Sequence, residues 1–205
     1  MLQAIVHDVK NKLAELAMVL ANAHPQAAAV ALDCADKLTQ VLLMEPEGSF
    51  MARVDAACPA DLIEDVVAEY GALFPGKTIV QVLDQAPPVW YYDARLVRLS
   101  LSNALHNALR HCHSEVRLCV FERDGELIFE VRDDGSGFTQ AMLSDAGQRP
   151  AAGDEASRAS RSTGLGLLVS RRIAEAHALR KAEVTRRGWI ALCNEDGAVV
   201  RLGLP

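Results

Sequence analysis

The stretch NALHNALRH, residues 103–111, lies inside the longer apolar-periodic run DARLVRLSLSNALHNALRHC, and its reading decides the fold. Asn103 and Asn107 are four residues apart, so on a helix both amides project from one face, with Arg110 one turn further on. Leu99, Leu101, Leu105 and the alanines between them predict a largely buried helix, and buried amides need partners. Amide oxygens are hard ligands suited to Mg²⁺, which keeps several waters and bridges to phosphates; Arg110 is spaced to contact those phosphates. The plainer reading, two polar residues on a solvated helix face, is weakened by that apolar context.

Two further short motifs follow. DDGSGF, residues 133–138, closes an apolar strand: Gly135 and Gly137 permit close backbone approach, and the Asp133 carboxylate is an acceptor for an exocyclic amine. Taken alone it is weak, since many strand-end turns contain Asp and Gly. TGLGLL, residues 163–168, opens a helix whose first N–H groups, approached through Thr163, Gly164, Leu165 and Gly166, form an anion site. It is neither a GxxxxGK[ST] loop nor a dinucleotide fingerprint, and two glycines also serve simple helix entry.

The chain has 205 residues, room for one α/β domain with a small extra element or for two modest domains. A net charge of −6 argues against a nucleic-acid surface spread over the whole protein. Five cysteines without CxxC spacing read as reduced thiols, mostly in or near the core. The longest uncharged run, residues 16–32, is interrupted by Asn22, His24, Pro25 and Gln26, and no signal peptide is apparent, so a cytoplasmic protein with no membrane segment is expected.

The chain divides near residue 48. Leu2, Val6, Val9, Leu13, Leu16 and Leu20 alternate four- and three-residue gaps, the seam of a helical bundle, and His24-Pro25 breaks it. A second helix is predicted from about residue 27 to 44, giving a hairpin over residues 1–47 that must pack on the next domain or on a second copy as a four-helix bundle. Over residues 50–205 the pattern is mixed. A helix is predicted from an Asp61 cap, then a strand in KTIVQVLD, a Pro87-Pro88 break and a long helix capped by Asp93. EVRLCVFERD and GELIFEVRDD form a hairpin at Asp124-Gly125. The segment from 139 to about 161 has the composition of a mobile loop. TGLGLLVSRRIAEAHAL is the last predicted helix, and WIALCNEDGAVVRLGLP is strand–turn–strand.

An NxxxNAxR helix, DxGxG after a strand, a loop, then TGLGL opening a helix together resemble the nucleotide-binding domain of sensor histidine kinases. That GHKL-type domain is shared with Hsp90 chaperones, type II topoisomerases and MutL proteins, and the resemblance covers about residues 50–205. It implies an α+β protein: an N-terminal antiparallel helical hairpin, then an α/β sandwich ATP-binding domain of the Bergerat type. It also implies ATP and Mg²⁺ as cofactors. Asp133 matches the adenine-binding carboxylate and Asn107 the metal ligand, with Asn103 and Arg110 beside it. Gly135, Gly137, Thr163, Gly164, Leu165 and Gly166 match the loops around the nucleotide. Residues 139–162 resemble the ATP lid, in which Arg158 and Arg161 are candidate phosphate contacts.

The resemblance changes the reading of HDVKNKL, residues 7–13. Kinases of this kind carry a phospho-accepting histidine in a pattern resembling H-[DE]-x-x-[NT], and His7, Asp8 and Asn11 fit it. In the heptad these three fall outside the seam, where a nucleophile can meet a second domain. His7 is then the expected nucleophile toward the γ-phosphorus. Asp8 fixes its tautomer, and Asn11 is a candidate for orienting water against a phospho-aspartate. Lys12 departs from the pattern, where many members have proline. Only six residues precede His7, as expected of a piece of a longer kinase or of a kinase regulated by a partner.

The expected function is therefore an ATP-dependent protein histidine kinase of a two-component system. It would be a homodimer through the hairpin, with a response-regulator receiver domain as partner. A different class, a phosphorelay adaptor with a nucleotide-inactive domain, has no need to retain all three motifs. A serine-kinase anti-sigma factor lacks a dimerising hairpin with a His-Asp pair. His111 and His113 flank Cys112 without making a metal set, and His177, read as lying within the last helix, is expected to be structural.

Overall fold

The computed structural model describes residues 52–144 apart from 72 and 75, residues 165–205 apart from 182 and 183, and scattered positions between 9 and 37. Among those scattered positions, the ones on either side of Ala23 and His24 are helical; Ala28 and Ala31 are buried, whereas Val9, Leu16, Val19 and Val30 are exposed. The hairpin as a unit lies outside the described residues.

Strand β1 (Asp55–Ala57) leads into helix α1 (Pro59–Gly71), strands β2 (Thr78–Val82) and β3 (Trp90–Tyr92), and helix α2 (Ala94–His111). The hairpin of β4 (Glu115–Arg123) and β5 (Glu126–Asp133) follows, then the short helix α3 (Gln140–Ser144) and helix α4 (Leu165–Ala176). Strands β6 (Ala178–Lys181), β7 (Val184–Arg187), β8 (Trp189–Asn194) and β9 (Ala198–Leu204) complete the chain.

Three sequence expectations are refined. Helix α1 starts at Pro59, not at an Asp61 cap. A proline suits the first helical position, because its fixed φ is already helical and its missing N–H would have no partner there; Asp61 lies in the first turn, where its charge still favours the dipole. Helix α4 ends at Ala176, so His177 stands just beyond it. Strands β1, β3, β6 and β7 add pairings that the sequence pattern did not announce.

The main sheet has the order β2-β4-β5-β9-β8, with β2 parallel to β4 and the remaining pairs antiparallel. Its α+β character comes from helices packed on one face. Alternation along the strands decides which side chains meet them. In β5, Leu127, Phe129 and Val131 point inward, opposite Leu204, Leu202 and Val200 of β9, and Val120 and Leu118 of β4 lie opposite Phe129 and Val131. The hairpin turn at Asp124-Gly125 has φ of 55° and 73°, the paired positive values of a tight turn that matches strand twist. On the other face Glu130, Arg201, Glu195 and Arg132 close a ring of ion pairs.

Candidate functional site

Asp133 is the last residue of β5 and continues the inward row Leu127, Phe129, Val131. The period of two thus delivers a carboxylate, not another aliphatic side chain, to the helix side of the sheet. It is buried, at 6% exposure. Both of its described hydrogen bonds fall on Oδ1, from the Gly135 N–H at 2.8 Å and the Ala198 N–H at 3.2 Å. The carboxylate is thereby held in one orientation by backbone donors from the turn after β5 and from the start of β9, both of them on Oδ1.

The adjacent Asp134 does different work. It accepts from the N–H groups of His113, Ser114 and Glu115 and from the Ser114 hydroxyl, the last at 2.6 Å. These bonds, led by the Ser114 hydroxyl, hold its carboxyl well below the usual carboxylate range. They staple the turn after β5 to the chain leaving α2. Gly135 completes that closure: a Cβ there would lie 2.3 Å from the His111 carbonyl oxygen, so only glycine lets the turn reach the helix end.

At Gly137, φ is +76°, the left-handed region that favours glycine. Beyond it Asn194 clamps Phe138: its Oδ1 accepts from the Phe138 N–H at 2.8 Å and its Nδ2 donates to the Phe138 carbonyl at 2.9 Å. Gly197, in the turn just before β9, packs against the end of β5, with φ +146° and an added Cβ only 1.8 Å from the Asp133 carbonyl oxygen.

Helix α2 supplies the amides. Asp93 caps it by accepting from the Arg95 and Leu96 N–H groups. Asn103 is buried and Asn107 and Arg110 are exposed, so the two amides straddle the edge of the helix's buried face instead of sharing one environment. Leu96 and Leu99 of α2 pack with Val169 and Ile173 of α4. The start of α2 also bonds the residue after α4, so the helices run antiparallel. One turn beyond that contact in the shared direction come Asn103 on α2 and Gly166 on α4, which places the glycine-led helix start beside the amides.

The structure therefore brings Asp133 and Gly135, with Gly137 beyond them, to the finishing end of α2, the helix that carries Asn103, Asn107 and Arg110, and sets the first turn of α4, with Leu165 and Gly166, alongside that half of α2. His7, Asp8, Asn11, Arg158, Arg161, Thr163 and Gly164 lie outside the described residues. Sequence reasoning did not single out Asp134, Asn194 or Gly197; of these only Gly197 carried a signal, as the second residue of an Asp-Gly turn.

A carboxylate fixed at a strand end, an amide-bearing helix stapled to its turn, and a second helix starting beside both define the α/β sandwich class of ATP-binding domains. A family model for the histidine kinase-, DNA gyrase B- and HSP90-like ATPases matches residues 92–205, and the chain belongs to that family. Its domain is the GHKL-type catalytic domain of sensor histidine kinases.

The chain is 33% identical over 113 residues to the signal transduction histidine-protein kinase AfsQ2 of Streptomyces coelicolor, covering 55% of this chain and 20% of that protein. It is 30% identical over 146 residues to the sensor histidine kinase component HK1 of Mycobacterium tuberculosis, covering 70% of this chain and 79% of that protein. Among solved structures, full-length ShkA in complex with AMPPNP matches with a TM-score of 0.67 at 18% identity, covering 100% of this chain and 45% of that one. The catalytic domain of histidine kinase ThkA matches at TM-score 0.60 and 16% identity, covering 75% of this chain and 97% of that one. These structural likenesses show the fold. Among the described residues no helix is long and apolar enough to cross a membrane.

Proposed function

We propose that this protein is an ATP-dependent histidine kinase of a two-component system, in which His7 of an N-terminal hairpin (residues 1–47) is phosphorylated by the ATP-binding domain of residues 50–205. The phosphoryl group then passes to an aspartate of a response-regulator receiver domain. The observation that carries this reading is Asp133, an inward-facing carboxylate that replaces an apolar side chain at the end of a core strand and has its orientation fixed by two backbone donors. A group buried this way at a strand end recognises a ligand donor, and the adenine amine fits the oxygen left over.

The donor set fits the rest of a magnesium nucleotide. Asn107 offers a hard amide oxygen at the exposed edge of α2, and Arg110 a cation one turn on. Mg²⁺, when bound, neutralises phosphate charge. Asn103, Asn107, Arg110 and Asp133 position the nucleotide, and the TGLGL motif, through Thr163, Gly164, Leu165 and Gly166, is assigned to its phosphates. Asp8 holds the proton of one His7 ring nitrogen so that the other attacks the γ-phosphorus, and Asn11 orients water for phosphatase action on the partner. Exposure of Val9 and Leu16 supports a homodimer, since these seam positions find no cover within one chain's described residues. The protein acts in the cytoplasm.

The test is incubation with γ-labelled ATP and Mg²⁺ for the wild type and for His7→Gln, Asp133→Asn and Asn107→Asp. Acid-labile, base-stable label is expected in the wild type and absent from His7→Gln, which still binds ATP. Asp133→Asn is expected to weaken ATP binding by about 10–100-fold, the cost of presenting a donor to a donor. Unlabelled wild type that takes a phosphoryl group from a phospho-receiver would overturn the kinase reading.

A further inference from the structure

A second constellation lies at the opposite end of α2 from the site. The chain reaches β1 through residues 52–54, which have no regular structure. Ala52 packs with Leu96 and Leu99 of α2 and Val169 and Ile173 of α4, a small apolar cluster separate from the main core. The Arg53 N–H donates to Asp93 Oδ2 at 2.9 Å, while Oδ1 of the same carboxylate caps α2. The Asp93 N–H donates in turn to His177 Nε2 at 2.9 Å. Since Nε2 accepts, the ring proton is on Nδ1, which lies 2.7 Å from the Ile173 carbonyl in the last turn of α4 and donates to it. Asp93 and His177 are each 2% exposed.

One unbroken chain of hydrogen bonds therefore joins the entry segment, the first turn of α2 and the last turn of α4. The apolar cluster alone would hold the helices together, but apolar contacts tolerate sliding. A buried, fully satisfied polar network permits one register, because any shift leaves a desolvated donor or acceptor without its partner. Both helices carry their nucleotide-facing residues at their other ends.

We infer that Asp93 and His177 are positioning residues: they lock α2 to α4 and fasten the entry segment to both, so that a displacement of the chain before residue 52 is transmitted to Asn103, Asn107 and Gly166. This would let the region that carries His7 and the nucleotide site report on one another. The transmission to catalysis rests on the kinase reading; the mechanical coupling does not.

The experiment uses the full chain and three variants. Arg53→Pro deletes the N–H donor to Asp93 and leaves Asp93 and His177 in place; Arg53→Ala keeps that donor and serves as control. His177→Gln keeps an acceptor and a donor but not the imidazole geometry. Amide hydrogen exchange is followed in each. Arg53→Pro is expected to speed exchange about tenfold not only at residues 94–98 but also at 103–110 and 165–169, with Arg53→Ala unchanged. Faster exchange confined to residues 52–57 and 94–98 means a local cap and overturns the coupling. In autophosphorylation, Arg53→Pro is expected to lower kcat about fivefold with KM for ATP within about twofold, and His177→Gln to change both. A lower melting temperature with kcat and KM unmoved would reduce His177 to a structural role. Absence of label in the wild type would count against the kinase reading alone, because hydrogen exchange still decides the coupling.

Discussion

The two ends of helix α2 are fastened by opposite means. At its start, Asp93 and His177 form a desolvated network that works with a neutral imidazole in one tautomer. At its finish, exposed charges do the fastening: Lys77 Nζ donates to the carbonyls of Cys112 and His113, both at 2.9 Å, and Asp134 receives the N–H groups that follow. A buried polar atom stripped of its partner costs about 1–3 kcal/mol, whereas an exposed ionic contact contributes about 0–1 kcal/mol. The distant end is thus the rigid anchor. The finishing end, beside Asp133, depends on many weak bonds in parallel and on close backbone contact.

That backbone contact gives the largest expected effect. Gly197→Ala places a Cβ 1.8 Å from the Asp133 carbonyl oxygen at a φ of +146°. The strain and the overlap together are expected to cost about 3 kcal/mol or more. Urea unfolding measures it; a loss below about 1 kcal/mol would mean that the turn adapts and that shape matters less at this end than charge.

The anchor itself is next. Asp93→Ala removes an N-cap and strands the Arg53 N–H, and a loss of about 1–2 kcal/mol is expected in the same titration. Asp134→Ala is expected to shift the midpoint less. If Asp134→Ala proved the more damaging, the contrast between a buried anchor and an exposed staple would be reversed.

Much of this was legible in the letters, for identifiable reasons. The long helix with its Asp93 cap, the Asp124-Gly125 hairpin and the final strand pair follow from periodicity and turn chemistry, which act locally. The family was legible because Asn103, Asn107, Asp133 and the glycines keep a spacing that resembles its motifs. What the letters did not disclose depends on tertiary placement. Asp133 and Asp134 are the same residue type side by side, and only the register of β5 against β4 and β9 makes one the buried, inward carboxylate and the other a staple. Asn194 lies 56 residues from the Phe138 it clamps, and no local pattern marks it. The three- and four-residue strands β1, β3, β6 and β7 are too short for alternation to register. The apolar pattern of α4 runs on through His177, but the chain turns there because its imidazole is taken up by Asp93 and Ile173.

Acid separates the two ends most finely. Burial pushes the His177 pKa below the ordinary imidazole value of 6.5, outweighing the Ile173 hydrogen bond and the nearby Asp93 charge that favour protonation. A depressed pKa means that the stability contributed by the neutral ring is complete above about pH 6.5 and drains away as the pH falls below it, when a proton on Nε2 meets the Asp93 N–H. The groups facing that ring are the Asp93 carboxylate and, through it, the Arg95 guanidinium. Burial raises the Asp93 pKa, but the Arg53, Arg95 and Leu96 hydrogen bonds hold it below 3.8, so its own contribution persists until strongly acid conditions. Asp134, likewise depressed, keeps its staple through the window in which His177 titrates. Melting temperature followed from pH 7.5 downward is therefore expected to fall in two stages, the His177 part of the anchor first and the Asp134 staple, together with Asp93, later. His177→Gln should flatten the first stage alone, and Asp134→Asn should reduce only the second, to which Asp93 also contributes; a first stage that survives in His177→Gln would assign it to some other group and leave the His177 bond insensitive to acid.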